Sequence, residues 1–398
     1  MTALDSSRDR LVVDLLDPQL YQRNPHDVWT WMRANEPVYR DERNGLWGIS
    51  RHADVMDVER RSTVFVSGQG YRAVWAPGES NMIAQDDPRH RQQRMLVQPQ
   101  LTRAGVAKRA DQISSLVKEL VDDILEMGTF EVVENLAAQL PARLTSTLLG
   151  YPEEMWPQLK SWSERLMRTD MRDRSGDVFW EFIEANQEFI AAMQPIAMER
   201  AKCPMDDFLS IWIHAKIDGQ SLPPESIVHE VGLFIAGGAE TTRTAISHGL
   251  REFCNHPDQW DAMSKDPSLV EGAVEEVLRW VTPLNNFFRR AVADTEVGGQ
   301  PIARGDRVIM LYPSANRDES VFSDPFRFDI RRSPNPHLSF GFGTHLCVGA
   351  NMARLVLTTL FAELSARATN LVAVREPDVE ANIFARAVKS FELSITPR

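Results

Sequence analysis

The stretch FGFGTHLCVG, residues 340–349, is the densest chemical signal in the sequence, and the helical pattern ANMARLVLTTLFAEL follows it directly. Its glycines permit positive φ angles and let the main chain pass close to a bulky planar group. Cys347 stands just before the predicted helix, where main-chain N–H groups and the helix dipole favour a thiolate. An inert buried cysteine is the commoner arrangement for an isolated cysteine, but the spacing of Phe, Gly, His and Cys favours a ligand. A thiolate held in this way is the axial ligand that promotes O–O cleavage at haem iron.

The composition is that of an ordinary globular protein. Apolar residues make up 43% and charged residues 25% of the 398 positions, which excludes disordered and fibrous classes. The 44 Lys and Arg residues against 56 Asp and Glu residues give a net charge of −12. An acidic chain repels phosphate backbones, so the charge disfavours a main role in binding nucleic acid.

The cysteines and the N-terminus indicate the cellular compartment. Cys203, Cys254 and Cys347 are odd in number and far apart, which argues against a disulfide framework, a zinc ribbon and covalent attachment of haem. The first residues, MTALDSSRDRLVVDLLDP, lack the apolar core of a signal peptide. No stretch reaches the about 18 apolar residues that a membrane span needs. We therefore expect a cytoplasmic protein without a membrane span.

The hydrophobic periodicity predicts a mainly α protein with a small β region, in a single domain over residues 1–398. A hairpin is expected near 36–50, where Asn44-Gly45 separates two β-forming runs. Helical patterns then dominate, and they include a long helix over about 224–255. A second β region is expected near 295–312, and nothing in the composition marks a domain boundary.

The 340–349 stretch resembles the haem-binding loop of the cytochromes P450, whose pattern is F-G-x-G-x-H-x-C-x-G. All six specified positions are present as Phe340, Gly341, Gly343, His345, Cys347 and Gly349. The resemblance implies the cytochrome P450 fold around one haem b, with Cys347 as the proximal iron ligand. It also implies that Phe340, Gly341, His345 and Gly349 contact the cofactor and that Phe340 packs near the sulfur.

A second family signature lies on the helix near residue 275. Glu276 and Arg279 are three residues apart on one helix face, where a carboxylate and a guanidinium can pair. Alone, such a pair is common and contributes little. In this position it resembles the family's structural ion pair, with Arg331 or Arg332 as a third member. The implied role is folding and haem retention.

The long helix carries Gly237-Gly238-Ala239-Glu240-Thr241-Thr242 in its middle. Two helical glycines cost about 1 kcal/mol each relative to alanine, so they indicate either an opening for a ligand or close helix packing beside a solvated Glu240. The string resembles the family's distal motif [AG]-G-x-[DE]-T-T, with Glu where many members have Asp. By the resemblance, Thr241 and Glu240 are catalytic: Thr241 hydrogen-bonds the activated oxygen and Glu240 brings protons from solvent. Ala236 on the same helix contacts the haem.

Haem carries two propionates that need cations. His90 and Arg94 lie four residues apart on one predicted helix face, and Arg289 precedes Asp294. With His345 they align with the family's propionate-binding positions, although singly each is more often a surface cation or a satisfied histidine. Arg290 could take the place of Arg289. The remaining histidines show no spacing typical of a metal site. His229 could line the pocket, although a place on a helix face is the favoured expectation.

The resemblance implies a haem-thiolate monooxygenase that uses O2 and acts as a monomer. Since the sequence has no flavin or nucleotide fingerprint, electrons are expected from a ferredoxin and its NAD(P)H-dependent reductase. They would arrive at a basic patch that includes Arg91, Arg103 and Arg331 or Arg332. Two alternatives stay open. A peroxide-driven peroxygenase would not need the Glu240–Thr241 pair, and a non-catalytic haem sensor would need neither that pair nor a substrate pocket.

The substrate is expected to be a hydrophobic small molecule, because the family's specificity regions are apolar and aromatic here. The residues in question are Tyr71, Val74, Trp75, Met82, Leu166, Met167, Met171, Leu233, Phe234, Ala236, Leu284, Phe287, Phe288, Ile383 and Phe384. No counter-charge is apparent among them. The chain looks similar to the branch of the family that hydroxylates steroid side chains, terpenoids and branched lipids.

Overall fold

A computed structural model describes residues 11–168 and 176–398, and in these parts the protein is mostly helical. The helices are α1 Pro18–Gln22, α2 His26–Asn35, α3 His52–Arg60, α4 Arg89–Leu101, α5 Arg103–Ala107, α6 Ala110–Met127, α7 Gln139–Leu149, α8 Trp156–Met167, α9 Asp177–Arg200, α10 Phe208–His214, α11 Pro224–Asn255, α12 Pro257–Lys265, α13 Val270–Val281, α14 Tyr312–Ala315 and α15 Ala350–Arg367. The strands are β1 Val38–Asp41, β2 Leu46–Ile49, β3 Phe65–Val66, β4 Thr129–Glu131, β5 Lys216–Ile217, β6 Gln220–Ser221, β7 Asn286–Ala291, β8 Thr295–Val297, β9 Gln300–Ile302, β10 Arg307–Leu311, β11 Ala368–Val379 and β12 Val388–Pro397. No helix in the described parts is long and apolar enough to cross a membrane.

Helix α11 is the central element of the fold. It starts with Pro224 in its first turn and ends at Asn255, two residues before Pro257, over the range that the sequence indicated. It packs against α7, α8, α13 and α15. A Cβ atom on Gly238 would lie 2.8 Å from Oγ1 of Thr145 on α7, whereas a Cβ atom on Gly237 would meet nothing within 4 Å. Close packing therefore explains one glycine, and an open space beside the helix explains the other.

The largest sheet carries one wall of the site. Its strand order is β1-β2-β10-β7-β3. Strands β1 and β2 form the expected antiparallel hairpin, with Gly45 at φ +62°, which a glycine adopts without strain. Strand β10 joins β2 in parallel and β7 in antiparallel register, so residues far apart in sequence become neighbours. The β8–β9 hairpin and β10 fall in the expected second β region.

The sequence reading missed several strands, among them β7 and those of the C-terminal sheet. Strand β7 lies just before the region expected to be β, and the C-terminal strands β11 and β12 form a three-stranded sheet with β4. In β12 the buried side chains alternate at Phe391, Leu393 and Ile395, a pattern that could have predicted the strand. The partner β11 is largely exposed and shows register irregularities, so its sequence carries no clear alternation.

A buried ion pair on α13 is linked by an arginine to the loop after α14. Glu276 and Arg279 have 0% side-chain exposure and are bonded at 2.7 Å. Arg332 is the third member, with Nε 3.2 Å from Glu276. Arg331 is exposed, and its main-chain N–H donates to Asp329. Since Arg332 is only 8% exposed, it cannot belong to a basic surface patch as the sequence reading allowed.

Candidate active site

The 340–349 loop is shaped by two glycines in the left-handed region. Gly341 and Gly343 have φ values of +68° and +69°, and a Cβ atom at Gly343 would lie 2.7 Å from the main-chain oxygen of Glu59. The N–H of Cys347 donates to the carbonyl of Phe340 at 2.8 Å and closes the loop. Because α15 starts at Ala350, the loop places the Cys347 thiol just before the helix N-terminus, as the sequence predicted.

The Cys347 thiol faces a large internal cavity. Its accessible surface faces the cavity, because Cys347 is one of the lining residues. Burial raises the pKa of the thiol, while the main-chain N–H groups of Gly349 and Ala350 and the charges of Arg94 and Arg354 lower it. In the free protein burial outweighs the helix terminus, so the expected thiolate needs a further positive charge at the sulfur.

The cavity has a volume of about 620 Å³ and lies between α11, α15, β7 and the loop before α4. The lining from α11 includes Ala236, Gly237, Gly238, Thr241 and Thr242. The open space beside Gly237 is part of this cavity. Helix α11, with Gly237 next to open space, therefore lines the same cavity as the thiol loop.

The four residues expected at the propionates come together in the cavity wall. His90, Arg94, Arg289 and His345 all line it, and the rings of His90 and His345 lie 4.2 Å apart. Burial, together with Arg289, His90 and Arg94, lowers the pKa of His345 to about 2, and burial also lowers the pKa of His90. Both imidazoles would therefore act as neutral hydrogen-bond donors, and the two arginines supply the positive charge.

The choice between the two neighbouring arginines follows from the alternation of β7. Arg289 lies on the cavity side with Phe287, whereas Arg290 faces away and its guanidinium sits 5.9 Å from the ring of Trp75. The donor set suits haem: one sulfur for iron on a glycine-lined floor, and two arginines with two imidazoles for carboxylates. Phe340 also lines the cavity, with Arg354 4.6 Å from its ring centre.

Glu59 was missed by the sequence reading although it lines the same part of the cavity. Its Oε1 accepts a hydrogen bond from Tyr312 OH at 2.7 Å and lies 4.0 Å from Nη2 of Arg289. Its Oε2 is buried and has no partner among the described residues. Burial raises the pKa of Glu59 to about 7 against the lowering effects of Arg289, Tyr312 and the Phe342 N–H. A glutamate in an amphipathic helix gave no sequence signal for this position.

The distal motif divides between the cavity and the protein interior. Thr241 lines the cavity, and its Oγ1 donates to the main-chain oxygen of Gly237 at 2.9 Å. Glu240 is 1% exposed and is not among the cavity-lining residues, so it is neither solvated nor adjacent to the cavity. Its carboxylate accepts from Arg243 at 2.7 Å and from Thr244 at 3.3 Å. Burial raises the pKa of Glu240.

Charged side chains connect Glu240 to the surface. Arg243 also bonds Glu164, whose carboxylate lies 3.2 Å from Nζ of Lys160. Lys160 in turn bonds Glu134 at 2.6 Å, and the Glu134 side chain is 53% exposed. The acid that the sequence placed on a route from solvent is therefore joined to solvent by a continuous row of ion pairs.

The expected substrate-contacting residues are mostly in the cavity wall. Those that line it are Tyr71, Met82, Leu166, Met167, Leu233, Phe234, Ala236, Leu284, Phe287 and Phe384. Val74 and Trp75 line a smaller neighbouring cavity, while Phe288 and Ile383 belong to a separate apolar core. Phe288 faces away because β7 alternates. Met171 lies outside the described residues.

Several polar residues were not expected in this wall. His229 lines the cavity, contrary to the favoured expectation, and its Nδ1 is 3.0 Å from Oγ of Ser80. Arg72, Glu79 and Asn81 also line it. The charged residues lie at positions that are not among the expected specificity residues, and Arg72 and Glu79 pair with each other. These residues follow no motif, and their loop has no periodicity from which its inner face could be read.

Comparison with known proteins agrees with this geometry. The cytochrome P450 family model matches residues 47–367. A steroid C26-monooxygenase of Mycobacterium tuberculosis is 37% identical over 393 residues, which cover 97% of both chains. A linalool 8-monooxygenase of Pseudomonas putida is 32% identical, with 97% of this chain and 99% of that protein covered. A solved Mycobacterium marinum cytochrome P450 in complex with pseudoionone has a TM-score of 0.90 and 32% identity, covering 98% of this chain and 100% of the other.

Proposed function

This chain belongs to the cytochrome P450 family, and we propose that within it the protein hydroxylates an apolar skeleton, a steroid side chain in the first place and a terpenoid or branched lipid in the second. As a member of the family it is a monooxygenase that binds haem b and uses O2 on a hydrophobic substrate. The observation that supports the substrate class is the apolar wall above Cys347, formed by residues such as Leu233, Phe234, Phe287 and Phe384.

The relatives favour the same order of substrates. The one that is 37% identical is named for oxidation of a steroid at C26, the end of its side chain. The linalool oxidiser and the structure with bound pseudoionone are less similar, and both names refer to acyclic terpenoids. The apolar part of the cavity wall suits all three, because oxidation of a hydrocarbon chain needs no polar anchor beside the iron.

We assign the haem contacts to the residues that the cavity brings together. Cys347 would be the iron ligand, and Arg94 and Arg289 would neutralise the propionates with His90 and His345 as further donors. Ala236, Phe340, Gly341 and Gly349 would contact the faces of the ring. When bound, the haem supplies the oxidising chemistry, and the protein supplies ligation, protons and exclusion of water.

Thr241 and Glu240 would manage the protons of the reaction. Insertion of one oxygen atom into a C–H bond needs two electrons and two protons, and the second oxygen leaves as water. Because the Thr241 hydroxyl donates to Gly237, its oxygen remains available to accept a hydrogen bond from an O–H group in the cavity. Glu240 would bring protons from solvent to Thr241, and its raised pKa makes the protonated form accessible. Arg243 and Glu164 would position the carboxyl group through their ion pairs, because a guanidinium does not give up its proton.

The electrons are proposed to come from a ferredoxin and its NAD(P)H-dependent reductase. Arg91 and Arg103 are exposed, and Arg103 begins α5, which packs against α15 directly behind Cys347. The carbonyl of Leu101 accepts a hydrogen bond from Asn351, which ties this surface to the thiol loop. Arg103→Glu should slow reduction by an acidic ferredoxin several-fold, and an unchanged rate would count against this surface.

A titration with steroids, terpenoids and fatty acids tests the substrate class. We expect a low- to high-spin shift of the haem with a steroid that keeps its side chain, followed by hydroxylation at the end of that chain. Binding confined to polar macrolides would refute the proposal. Turnover with H2O2 at the rate of the ferredoxin-supported reaction would favour a peroxygenase, and the lack of any spin shift would favour a sensor.

A further inference from the structure

An ion pair between Arg72 and Glu79 lies in the wall of the cavity, on the loop before α4. The two side chains are 13% and 14% exposed, and Nη2 of Arg72 donates to Oε2 of Glu79 at 2.6 Å. Tyr71 OH and Asn81 Nδ2 donate to Oε1 of the same carboxylate at 2.8 and 2.9 Å. All four residues line the cavity wall, as do the apolar residues Met82, Leu284, Phe287 and Phe384.

The cluster carries no net charge. Glu79 is neutralised by Arg72 and already accepts three hydrogen bonds, and burial raises the pKa of Tyr71 so that the phenol stays protonated and donates. A substrate carboxylate would place two buried anions against one guanidinium, which is unfavourable. A neutral oxygen acceptor would bring no such cost.

Among the described residues, the guanidinium of Arg72 has two nitrogen atoms without a hydrogen-bond partner. In the parts of the chain that the structure describes, Nη2 is its hydrogen-bonded nitrogen, whereas Nε is buried without a partner. Nη1 likewise has no hydrogen bond to these residues. Because Nε has almost no accessible surface, Nη1 is the nitrogen that a ligand in the cavity can reach, and in this partly buried wall an acceptor gains more from that donor than it would in water.

The position of Arg72 is fixed by its main chain. The N–H of Phe288 on β7 donates to the carbonyl of Tyr71 at 2.8 Å, and Nη2 of Arg307 donates to the carbonyls of Arg72 and Ala73 at 3.0 and 2.8 Å. The central sheet therefore holds the loop at this point. Since the group is placed before a ligand arrives, little ordering cost is left for binding.

We propose that Arg72 is a specificity-determining residue that donates a hydrogen bond to a neutral oxygen, a ketone or a hydroxyl, at one end of an otherwise apolar substrate. Glu79 positions the guanidinium and balances its charge. The opposite, hydrocarbon end of the molecule is then free to reach Thr241 and the thiol side of the cavity. This inference rests on the proposed function, because it concerns the substrate of the same site.

Spin-shift titrations of the haem-loaded enzyme with two matched pairs test the proposal. The first pair is cholest-4-en-3-one and its 3-deoxy hydrocarbon, and the second is pseudoionone and its deoxy hydrocarbon. The ketone of a pair that fits the cavity should bind about 10- to 100-fold more tightly than its hydrocarbon, as expected for a hydrogen bond to a charged donor. This comparison uses the unaltered protein, so it does not depend on a variant that folds.

The double variant Arg72→Met/Glu79→Gln removes both charges without leaving either one buried alone, and methionine has no hydrogen-bond donor at position 72. It should bring the ketone-to-hydrocarbon ratio of Kd values close to one, while the Kd of the hydrocarbon and the haem content stay unchanged. Arg290→Met is the matched control, because Arg290 is an arginine whose guanidinium lies over Trp75 outside the cavity. It should keep the ratio of the unaltered enzyme.

Equal affinities within both pairs in the unaltered enzyme would overturn the inference and leave the proposed function in place. So would a double variant that weakens ketone and hydrocarbon alike, or one that loses haem, since Arg72 would then support the fold or a propionate. No spin shift with either skeleton would overturn the proposed function, and the inference with it.

Discussion

Replacing Glu276 by glutamine should destabilise the protein by about 3–5 kcal/mol, because it leaves the charge of Arg279 buried without a counter-charge. Both side chains have 0% exposure, and Glu276 accepts from Nε and Nη2 of Arg279 at 2.7 Å. The same carboxylate accepts from the Asp329 N–H at 2.9 Å and from Arg332 and Asn335 at 3.2 Å. A glutamine can keep part of these hydrogen bonds, but a guanidinium cannot lose its proton. The loss is a large share of the about 5–15 kcal/mol that stabilises a typical protein.

The midpoint of urea unfolding measures this loss, together with the haem retained after purification. Glu376→Gln is the control. Arg251 donates two hydrogen bonds to Glu376, at 2.6 and 2.7 Å, in the same bidentate arrangement, but the Glu376 side chain is 70% exposed. An exposed pair contributes at most about 1 kcal/mol. Equal midpoint shifts in the two variants, or a loss below about 1 kcal/mol for Glu276→Gln, would refute the reasoning from burial.

Three further changes give distinct outcomes. Gly237→Ala should stabilise the protein by up to about 1 kcal/mol, because alanine favours a helix and its Cβ meets no other atom. Gly238→Ala should destabilise it, because its Cβ would lie 2.8 Å from Oγ1 of Thr145. A higher melting temperature for Gly238→Ala than for Gly237→Ala would contradict the packing. Glu240→Gln should slow product formation roughly 10²-fold and raise H2O2 release per O2 consumed, and an unchanged coupling ratio would remove Glu240 from the proton route. Burial raises the pKa of Glu59 from 4.5 to about 7, so between these pH values the folded state binds more protons than the unfolded state. The free energy of unfolding should therefore fall by about 3 kcal/mol as the pH rises from 4.5 to 7. Glu59→Gln should remove that fall, and parallel profiles for the two proteins would contradict the assignment.

The spaced motifs pointed to residues that line one cavity, because each motif needs a particular residue at a fixed distance along the chain. A cysteine just before α15, a threonine on α11 and an arginine on β7 were identified from such spacing, and the structure brings all three to one cavity. Arg289 could not be separated from Arg290 in the sequence, because the decision depends on which face of β7 meets the cavity. Pairing with β10 sets that face.

The polar wall could not be predicted, because it is made by contacts between distant segments. Glu59 approaches Arg289 only when α3 packs beneath the 340–349 loop, and Arg72 faces inward only because Arg307 holds its carbonyl. The burial of Glu240 has the same origin. In the sequence a glutamate on a helix is expected to be solvated, but in the fold Arg243 pairs with both Glu240 and Glu164 of α8. Such partners carry no local periodicity.

The absorption spectrum of the reduced, CO-bound protein tests the central claim, that Cys347 in the glycine-shaped loop holds the haem iron. The unaltered protein, Cys203→Ser and Cys254→Ser should all show the red-shifted Soret band of thiolate ligation, and Cys347→Ser should lose it. A band that persists in Cys347→Ser, or that disappears in Cys203→Ser or Cys254→Ser, would contradict the account.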